Sequence, residues 1–588
     1  MDRAGPAMTD TLSCDLLVIG AGAGGLAAAV TAAYHGAKVI VAEKADVCGG
    51  ATAWSGGWMW APRNPLARAD GIDEDVELPR TYLQHRLGTN FDAAKVDAFL
   101  AQAPRMVGFF HDKTRLQFVP GTTIADIHGG TPGAGTGHRS VAPRPIDAYQ
   151  IPAPVRAKLR WQLYETSFLG MGIMAGPDLQ AFLHATRSPK AFAHAARRVT
   201  RHIIDLATAR KGMQLVNGTA LIGRLLASAD ELGVDIRVSS SARTLITDDS
   251  GAVTGAQLDC PDGVVTVHAA RGVILATGGF PSNIDMRKKY FPRTPTGREH
   301  WTLVPDTTTG DGIALAESAG GRLDTTLASP VAYCPVSLVP YRNGETGVFP
   351  HILDRGKPGV IGVLASGKRF VNEADGYHDY TTAMVDAVPD GQEVCSWLVC
   401  DHRFQRLYPL GMSKPRPIPI WPYLRSGYLK KGRTLTELAQ QCGIDPDQLQ
   451  STVALFNDNA RRGQDPEFHR GDTMFNRGSG DPDNPFPNPS LAPLEKGPFY
   501  AVKVVPGSFG TFAGVVTDAS ARVLDESDTP IAGLYAVGSD QASVMGGHYP
   551  AGGINIGPAM TFGYIAARHA TGVMDLQVLW GNPTDRRA

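Results

Sequence analysis

Asp15-Leu16-Leu17-Val18-Ile19-Gly20-Ala21-Gly22-Ala23-Gly24-Gly25 is the stretch whose reading decides the fold. Its apolar half is long enough for one buried strand, and its glycines fall in a G-x-G-x-x-G pattern at Gly20, Gly22 and Gly25. Residues 26–35 follow, rich in alanine and free of proline, and predict a helix that Gly36 ends. A second apolar run, Lys38 to Ala42, leads to Glu43, eighteen residues beyond Gly25. A strand, glycine turn, helix, strand and terminal acid in this order predict a dinucleotide-binding βαβ unit. Gly20 permits the tight turn, Gly22 lets a pyrophosphate approach the backbone, and Gly25 lets helix and strand pack closely. The helix start offers free N–H groups to phosphate, and Glu43 can accept from ribose hydroxyls.

The next residues favour a flavin over a nicotinamide. Lys44 is followed by Gly49-Gly50-Ala51-Thr52-Ala53-Trp54-Ser55-Gly56-Gly57, in which glycine pairs flank small hydroxyl residues. A flavin must be threaded deep into a protein against close main chain, and Gly49, Gly50, Ala51, Thr52, Ser55, Gly56 and Gly57 suit that approach. Gly24 completes the first turn. No histidine lies between Gly49 and Gly57, so FAD is expected to be bound non-covalently.

The chain has 588 residues, 43% of them hydrophobic, and a net charge of −1, which allows a large core in two or more units and gives no electrostatic footprint for nucleic acid. Its seven cysteines are scattered without a C-x-x-C pair, so neither a zinc site nor a disulfide framework is indicated, and a reducing, cytoplasmic setting is the expectation. The first thirteen residues do not resemble a secretion signal, and no run is apolar enough to span a membrane. Phe168 to Met174 is apolar enough to form either a peripheral membrane patch or a buried turn, and the buried turn is the preferred reading.

Along the chain, residues 64–110 predict surface helices and 119–147 a long glycine-rich loop in which His128 and His138 face solvent; no metal site is proposed. Residues 253–269 predict a hairpin around Pro261-Asp262-Gly263, leading to the buried strand that ends in Ala276-Thr277-Gly278-Gly279. Composition shifts near Asn283, and residues 463–495 read as a polar linker. The expected organisation is a discontinuous Rossmann-like α/β FAD-binding domain, residues 10–282 and 501–580, with an inserted α+β capping domain at 283–500. Thr309-Gly310-Asp311-Gly312 opens a helix in the insert, and Lys44, Ala276, Thr277, Gly278, Asp311 and Asp540 are expected to join the cofactor site. A last strand ends near Asp540, and the turn through Gly552, Gly553, Asn555 and Ile556 feeds a terminal helix whose start can face a reduced flavin ring.

Taken together, the βαβ unit, residues 49–57, Ala276 to Phe280, Thr309 to Gly312, Gly367 to Glu373 (GKRFVNE) and Ser543 to Ala567 resemble the FAD-dependent flavoproteins of the succinate dehydrogenase and fumarate reductase superfamily. Within it the sequence is most similar to the 3-ketosteroid dehydrogenases, especially the 1-dehydrogenases, over roughly residues 12–570. The resemblance implies that Tyr549 and the N–H of Gly553 hold a ketone oxygen. It also implies that Tyr377 removes the adjacent proton, while flavin N5 takes a hydride from the neighbouring carbon. That family has a supporting tyrosine in the long loop, but here the loop carries Ile124, Asp126, Ile127 and His128 and no tyrosine, leaving His378 or His128 as substitutes.

The implied reaction introduces a C=C bond α,β to the ketone of a 3-ketosteroid, with an external quinone or dye-like electron acceptor. The alternatives are desaturation of a smaller cyclohexanone-type ring, for which Trp54, Trp58 and Trp60 would furnish a tight pocket or ordinary core, a fumarate-type reductase, and a non-catalytic flavin carrier. The reductase would need an arginine in the 552–556 turn, which has none.

Overall fold

The computed structural model describes residues 10–573. Residues 1–9, read above as lacking a secretion signal, and residues 574–580 of the expected second FAD-binding segment lie outside the described residues.

The first apolar run, Leu16–Ile19, is buried on both faces and sits inside a six-stranded sheet. The spatial order is Arg522–Leu524, Pro530–Ala536, Val273–Leu275, Leu16–Ile19, Val39–Ala42, Asp235–Arg237, and all neighbours are parallel except the first pair. Strands with no polar face are what a parallel sheet covered on both sides requires. The helix Ala23–Tyr34 packs on the terminal helix Ile556–Thr571 through small residues, Gly24 lying 3.1 Å (as a built Cβ) from the carbonyl of Ala559. The predicted hairpin forms as Val253–Cys260 against Gly263–Ala269 and belongs to a separate four-stranded sheet. Residues 64–110 do form helices, but Ala93–Lys113 is no surface helix: Phe99, Met106 and Phe110 are buried in the main core. The 119–147 segment is tied down by short strands, Ser140–Pro143 pairing with both Phe118–Pro120 and Met59–Trp60.

Residues 301–511 supply a seven-stranded sheet whose centre is the thirteen-residue strand Phe499–Thr511. The boundary expected at 500/501 falls within this strand, and the capping sheet continues to Thr511.

The segment read as a polar linker, 463–495, is in large part interior. Arg470 is wholly buried, and Asp465 and Ser490 nearly so. They are needed because Arg369, inside the same core, pairs bidentately with Glu373 (2.7 and 2.8 Å) and with Asp465 (2.8 Å twice), while Arg470 reaches Glu373 at 3.1 Å. Glu373 also accepts from the N–H of Gly362, and Arg355 donates to the carbonyls of Glu373 and Asp375. This network fixes the chain immediately before the helix Tyr377–Ala387.

Burial alone would push the Glu373 carboxyl up, but Arg369 and Arg470 overcome this and hold it at about 2. Its ordinary value is about 4.3, so its contribution is complete above that pH and is lost as pH falls toward 2. Glu373→Gln leaves two buried cations short of a partner and is expected to cost roughly 3–5 kcal/mol. Denaturant unfolding at neutral pH would show it, and the difference from the natural chain should shrink as the pH is lowered through that window.

Candidate active site

The first glycine turn has the shape a pyrophosphate requires. A methyl group on Gly25 would run into the carbonyl of Gly20, and one on Gly20, at φ +107°, into that of Ala276. Around Gly22 there is open space, with nothing within 4 Å of such a group. Crowding beneath the turn and room above it make a cradle for a ligand lying on the backbone. Glu43 is half-buried and accepts from Ala21 N and Ala45 N, each at 2.9 Å and each on a different carboxylate oxygen, so both oxygens keep lone pairs for ribose hydroxyls. Burial nevertheless raises its pKa. Thr52 accepts from Ala23 N at 3.3 Å and so closes the 49–57 run over the helix start. Gly50 lies open beside Gly22, whereas Gly49 and Gly57 pack tightly against Ile222 and Asn217. Ala51 lies with Gly50 and Thr52 in the short helical turn Gly50–Trp54. Ser55 is taken up in holding the turn, donating to Thr52 O and accepting from Gly57 N. Gly56 packs on the Trp58 ring.

Two acids expected at the cofactor site have protein partners. Asp540 is completely buried and accepts from the backbone N–H and hydroxyl of Thr277 and from Gly279 N, bracing the Ala276–Gly278 turn against the terminal segment. Asp311 pairs with Lys44 at 2.9 Å, and Thr309 joins them. Trp60 is core, stacked on Phe99 and donating to Asp126 at 2.9 Å, and Trp54 donates to Trp161 O under Arg160.

The tyrosines expected to do chemistry meet. Tyr377, half-buried at the start of its helix, and Tyr549, 5% exposed, pack edge to face with ring centroids 4.8 Å apart. Phe509, Phe512 and His378 complete an aromatic box around them. Asn555, at the N-cap of the terminal helix, donates its Nδ2 to the Tyr549 hydroxyl at 3.4 Å, which leaves the phenolic proton free to be donated onward. Gly553 holds φ +97° with its Cβ position 2.8 Å from Met59 N, and among the described residues its N–H and those of Asn555 and Ile556 have no acceptor. Burial pushes both tyrosines up, Tyr377 well above its ordinary value, with Tyr549 adding to the rise and the Arg355 guanidinium opposing it.

The two histidines proposed to stand in for the supporting tyrosine each have one ring nitrogen committed to another partner. His378 Nδ1 accepts from the backbone N–H of Tyr333 at 3.2 Å, so the neutral ring carries its proton on Nε2 and is a donor. Burial holds it neutral, at about 3. His128 is half-buried, not solvent-facing, and its Nε2 accepts from Arg86 at 3.1 Å. At the loop position in contact with the chain before Tyr377 stands Ile127, against Gly376 and bonded through its N–H to Pro550 O. Sequence reading passed over Arg86 and Asp379. Burial lifts Asp379 to about 7, its Oδ2 has no hydrogen bond, and the buried Arg86 Nε has no partner among the described residues. An arginine in a helix otherwise read as surface gave no signal of this.

A family model described as FAD binding domain matches residues 15–556. The chain belongs to this FAD-binding family. FAD is accordingly its cofactor, and the cradle at Gly22, the free N–H groups and Glu43 fit it. Within the family the chain is 41% identical over 561 residues to 4-oxocyclohex-2-ene-1-carboxylate 5-dehydrogenase of Sinomonas cyclohexanicum, covering 95% of this chain and 94% of that one. It is 37% identical to 3-oxosteroid 1-dehydrogenase of Mycolicibacterium smegmatis, covering 94% and 96%. The crystal structure of 3-ketosteroid delta1-dehydrogenase from Sterolibacterium denitrificans in complex with 1,4-androstadiene-3,17-dione matches with a TM-score of 0.88 at 34% identity, covering 96% of this chain and all of that one. The expected placement in the ketosteroid-dehydrogenase branch, the α/β FAD-binding fold and an oxidoreductase activity are therefore shown.

Proposed function

We propose that the enzyme introduces a C=C bond α,β to the ketone of a six-membered ring. The observation that carries the reading is the convergence of Tyr377, Tyr549 and the free N–H of Gly553 at the start of the terminal helix. Tyr549, its oxygen already accepting from Asn555, donates to the ketone oxygen together with Gly553 N–H. Two donors on that oxygen lower the cost of enolate formation, each worth about 10²–10³ in rate. Tyr377 takes the α-proton, and the aromatic box excludes water from the ring. Bound FAD supplies the acceptor for the hydride, and an external quinone-like acceptor would reoxidise it.

The first substrate reading is a 3-ketosteroid, supported by the similarity to the steroid 1-dehydrogenases. A second reading, a small oxocyclohexane carboxylate, is favoured by two features. The loop has no tyrosine and places Ile127 against Gly376, and Arg86, beside the same loop, makes no ion pair with a carboxylate among the described residues. Two relatives from Sinomonas cyclohexanicum are a 4-oxocyclohex-2-ene-1-carboxylate 5-dehydrogenase and a 4-oxocyclohexanecarboxylate 2-dehydrogenase.

Anaerobic mixing of the FAD-loaded enzyme with androst-4-ene-3,17-dione, and separately with 4-oxocyclohexanecarboxylate, is expected to bleach the flavin band with one of them. Bleaching by the carboxylate alone would select the second reading. Failure of both, with FAD bound, would remove the desaturase proposal.

A further inference from the structure

A cleft of about 380 Å³ opens beside the 49–57 run, and its lining is both aromatic and cationic. Trp54, from that run, donates Nε1 to the carbonyl of Trp161 at 3.1 Å, which ties the two sides together. Arg160 lies over the Trp54 ring at 5.5 Å and Lys211 over the Trp161 ring at 5.1 Å. Leu163 and the half-exposed Tyr164 continue the lining. Small-molecule sites occupy roughly 300–1,000 Å³ and set a few polar groups in apolar walls.

The two cations have no anion of their own. Among the described residues neither makes an ion pair or a side-chain hydrogen bond, and the buried Nε of Arg160 has no acceptor. Glu43, Asp46 and Asp306 act on Arg160 only from beyond ion-pair distance. The one acid in the lining, Glu165, is buried and accepts from the Tyr341 hydroxyl at 2.8 Å. A cationic cleft whose only carboxylate is engaged elsewhere suits an anion. A guanidinium suits a carboxylate above all, since it can hold both oxygens through parallel N–H bonds.

The lining also leads to the tyrosines. Leu163 packs on the apolar cluster of Leu303, Cys334, Val336 and Val505, and Tyr377 and Phe509 pack on the same cluster. Residues 161–165 run out to the turn Phe168 to Met174, and the helix Pro189–Ala209 brings the chain back to Lys211. That turn, expected to be buried, buries Met171 but leaves Leu169 at its tip exposed, and the helix leaves Phe192 and Ile203 exposed. The cleft therefore stands between the flavin-binding run and the aromatic box, open to solvent on its outer side.

We infer that this cleft is a binding site for a carboxylate carried on a six-membered ring, with Arg160 and Lys211 on the carboxylate and Trp161 and Tyr164 against the ring. The inference rests on the proposed ring-ketone chemistry and selects the smaller, charged substrate, because androst-4-ene-3,17-dione offers the cations no charge to hold.

Tryptophan fluorescence of the FAD-loaded full chain, titrated with cyclohexanecarboxylate, reads the cleft without turnover. The acid should quench the emission, and its methyl ester should bind about tenfold more weakly, the scale of two partly exposed ion pairs. Salt at about 1 M, where the screening length is about 3 Å, should remove most of that difference. Trp161→Phe should lose the quench. Lys211→Glu combined with Arg160→Gln should weaken the acid about tenfold or more and leave the ester where it was, which separates lost charge from lost fold. In turnover, the ratio of kcat/KM for 4-oxocyclohexanecarboxylate to that for its methyl ester should fall by the same factor in this variant. If no ketone bleaches the flavin, yet the acid binds and the double substitution expels it, the anion site stands and the desaturase reading falls. Equal binding of acid and ester by the natural chain would overturn the inference. So would release of FAD from the Arg160→Gln chain, since that cation would then belong to the cofactor.

Discussion

A Tyr377→Phe enzyme, fully loaded with FAD, will turn over at least about a hundredfold more slowly than the natural chain, the range lost when a positioned acid or base is removed. The substitution removes only the hydroxyl, and the ring still packs on Tyr549 and Phe509, so fold and flavin content should be untouched. The pH profile separates a base from a bystander. Burial and the neighbouring Tyr549 raise the Tyr377 pKa well above its usual value, so the reactive, deprotonated form is scarce at neutral pH and grows with each pH unit. The natural enzyme should therefore show kcat/KM still rising between pH 7 and 9, and Tyr377→Phe should flatten that slope. A slope that survived in the phenylalanine variant would assign the titration, and the base, to another group. A profile of the natural enzyme that instead levelled off near neutrality would point to Asp379, which burial has lifted to about 7.

The cofactor end of the molecule was legible because its requirements are local. A strand, a glycine turn and an acid must occur in order within thirty residues, and Gly22 and Glu43 stand where the spacing puts them. The tyrosines were legible through resemblance alone, since nothing in composition links Tyr377 to Tyr549 across 172 positions.

What escaped the sequence was which side of an element faces in. Asp540 reads as a cofactor-site acid at the end of a strand, and nothing local announces that its oxygens hold Thr277 and Gly279. Residues 463–495 looked like a solvated linker because Asp465 and Arg470 are charged, but Arg369 and Glu373, nearly a hundred positions earlier, make them interior. The helix Pro189–Ala209 has a periodicity that predicts an apolar face and cannot say that this face is turned outward. In each case the deciding partner is distant in sequence, and no local pattern encodes it.

Gly553→Ala is the sharper test of the ketone site, because it displaces a backbone donor that no side chain can replace. At φ +97° an alanine is strained, and its methyl would sit 2.8 Å from Met59 N and the Trp58 carbonyl group, both main chain in the strand and turn beneath. Neither neighbour can swing aside as a flexible side chain would. The 552–556 turn must shift, carrying the Gly553 N–H away from the ketone oxygen and Asn555 away from Tyr549. Loss of one such donor lowers kcat by about 10²–10³. Because Asn555 moves too, the effect should approach that of Gly553→Ala combined with Tyr549→Phe, so the double variant should be much less than additive, as expected for groups acting on one oxygen. The Gly20–Gly25 cradle and Glu43 lie on the other strand ends, so FAD should remain bound and its absorbance spectrum, rather than its stoichiometry, should report the altered turn. Fully additive losses would show that Tyr549 and Gly553 serve different atoms, and the shared ketone site would have to be given up.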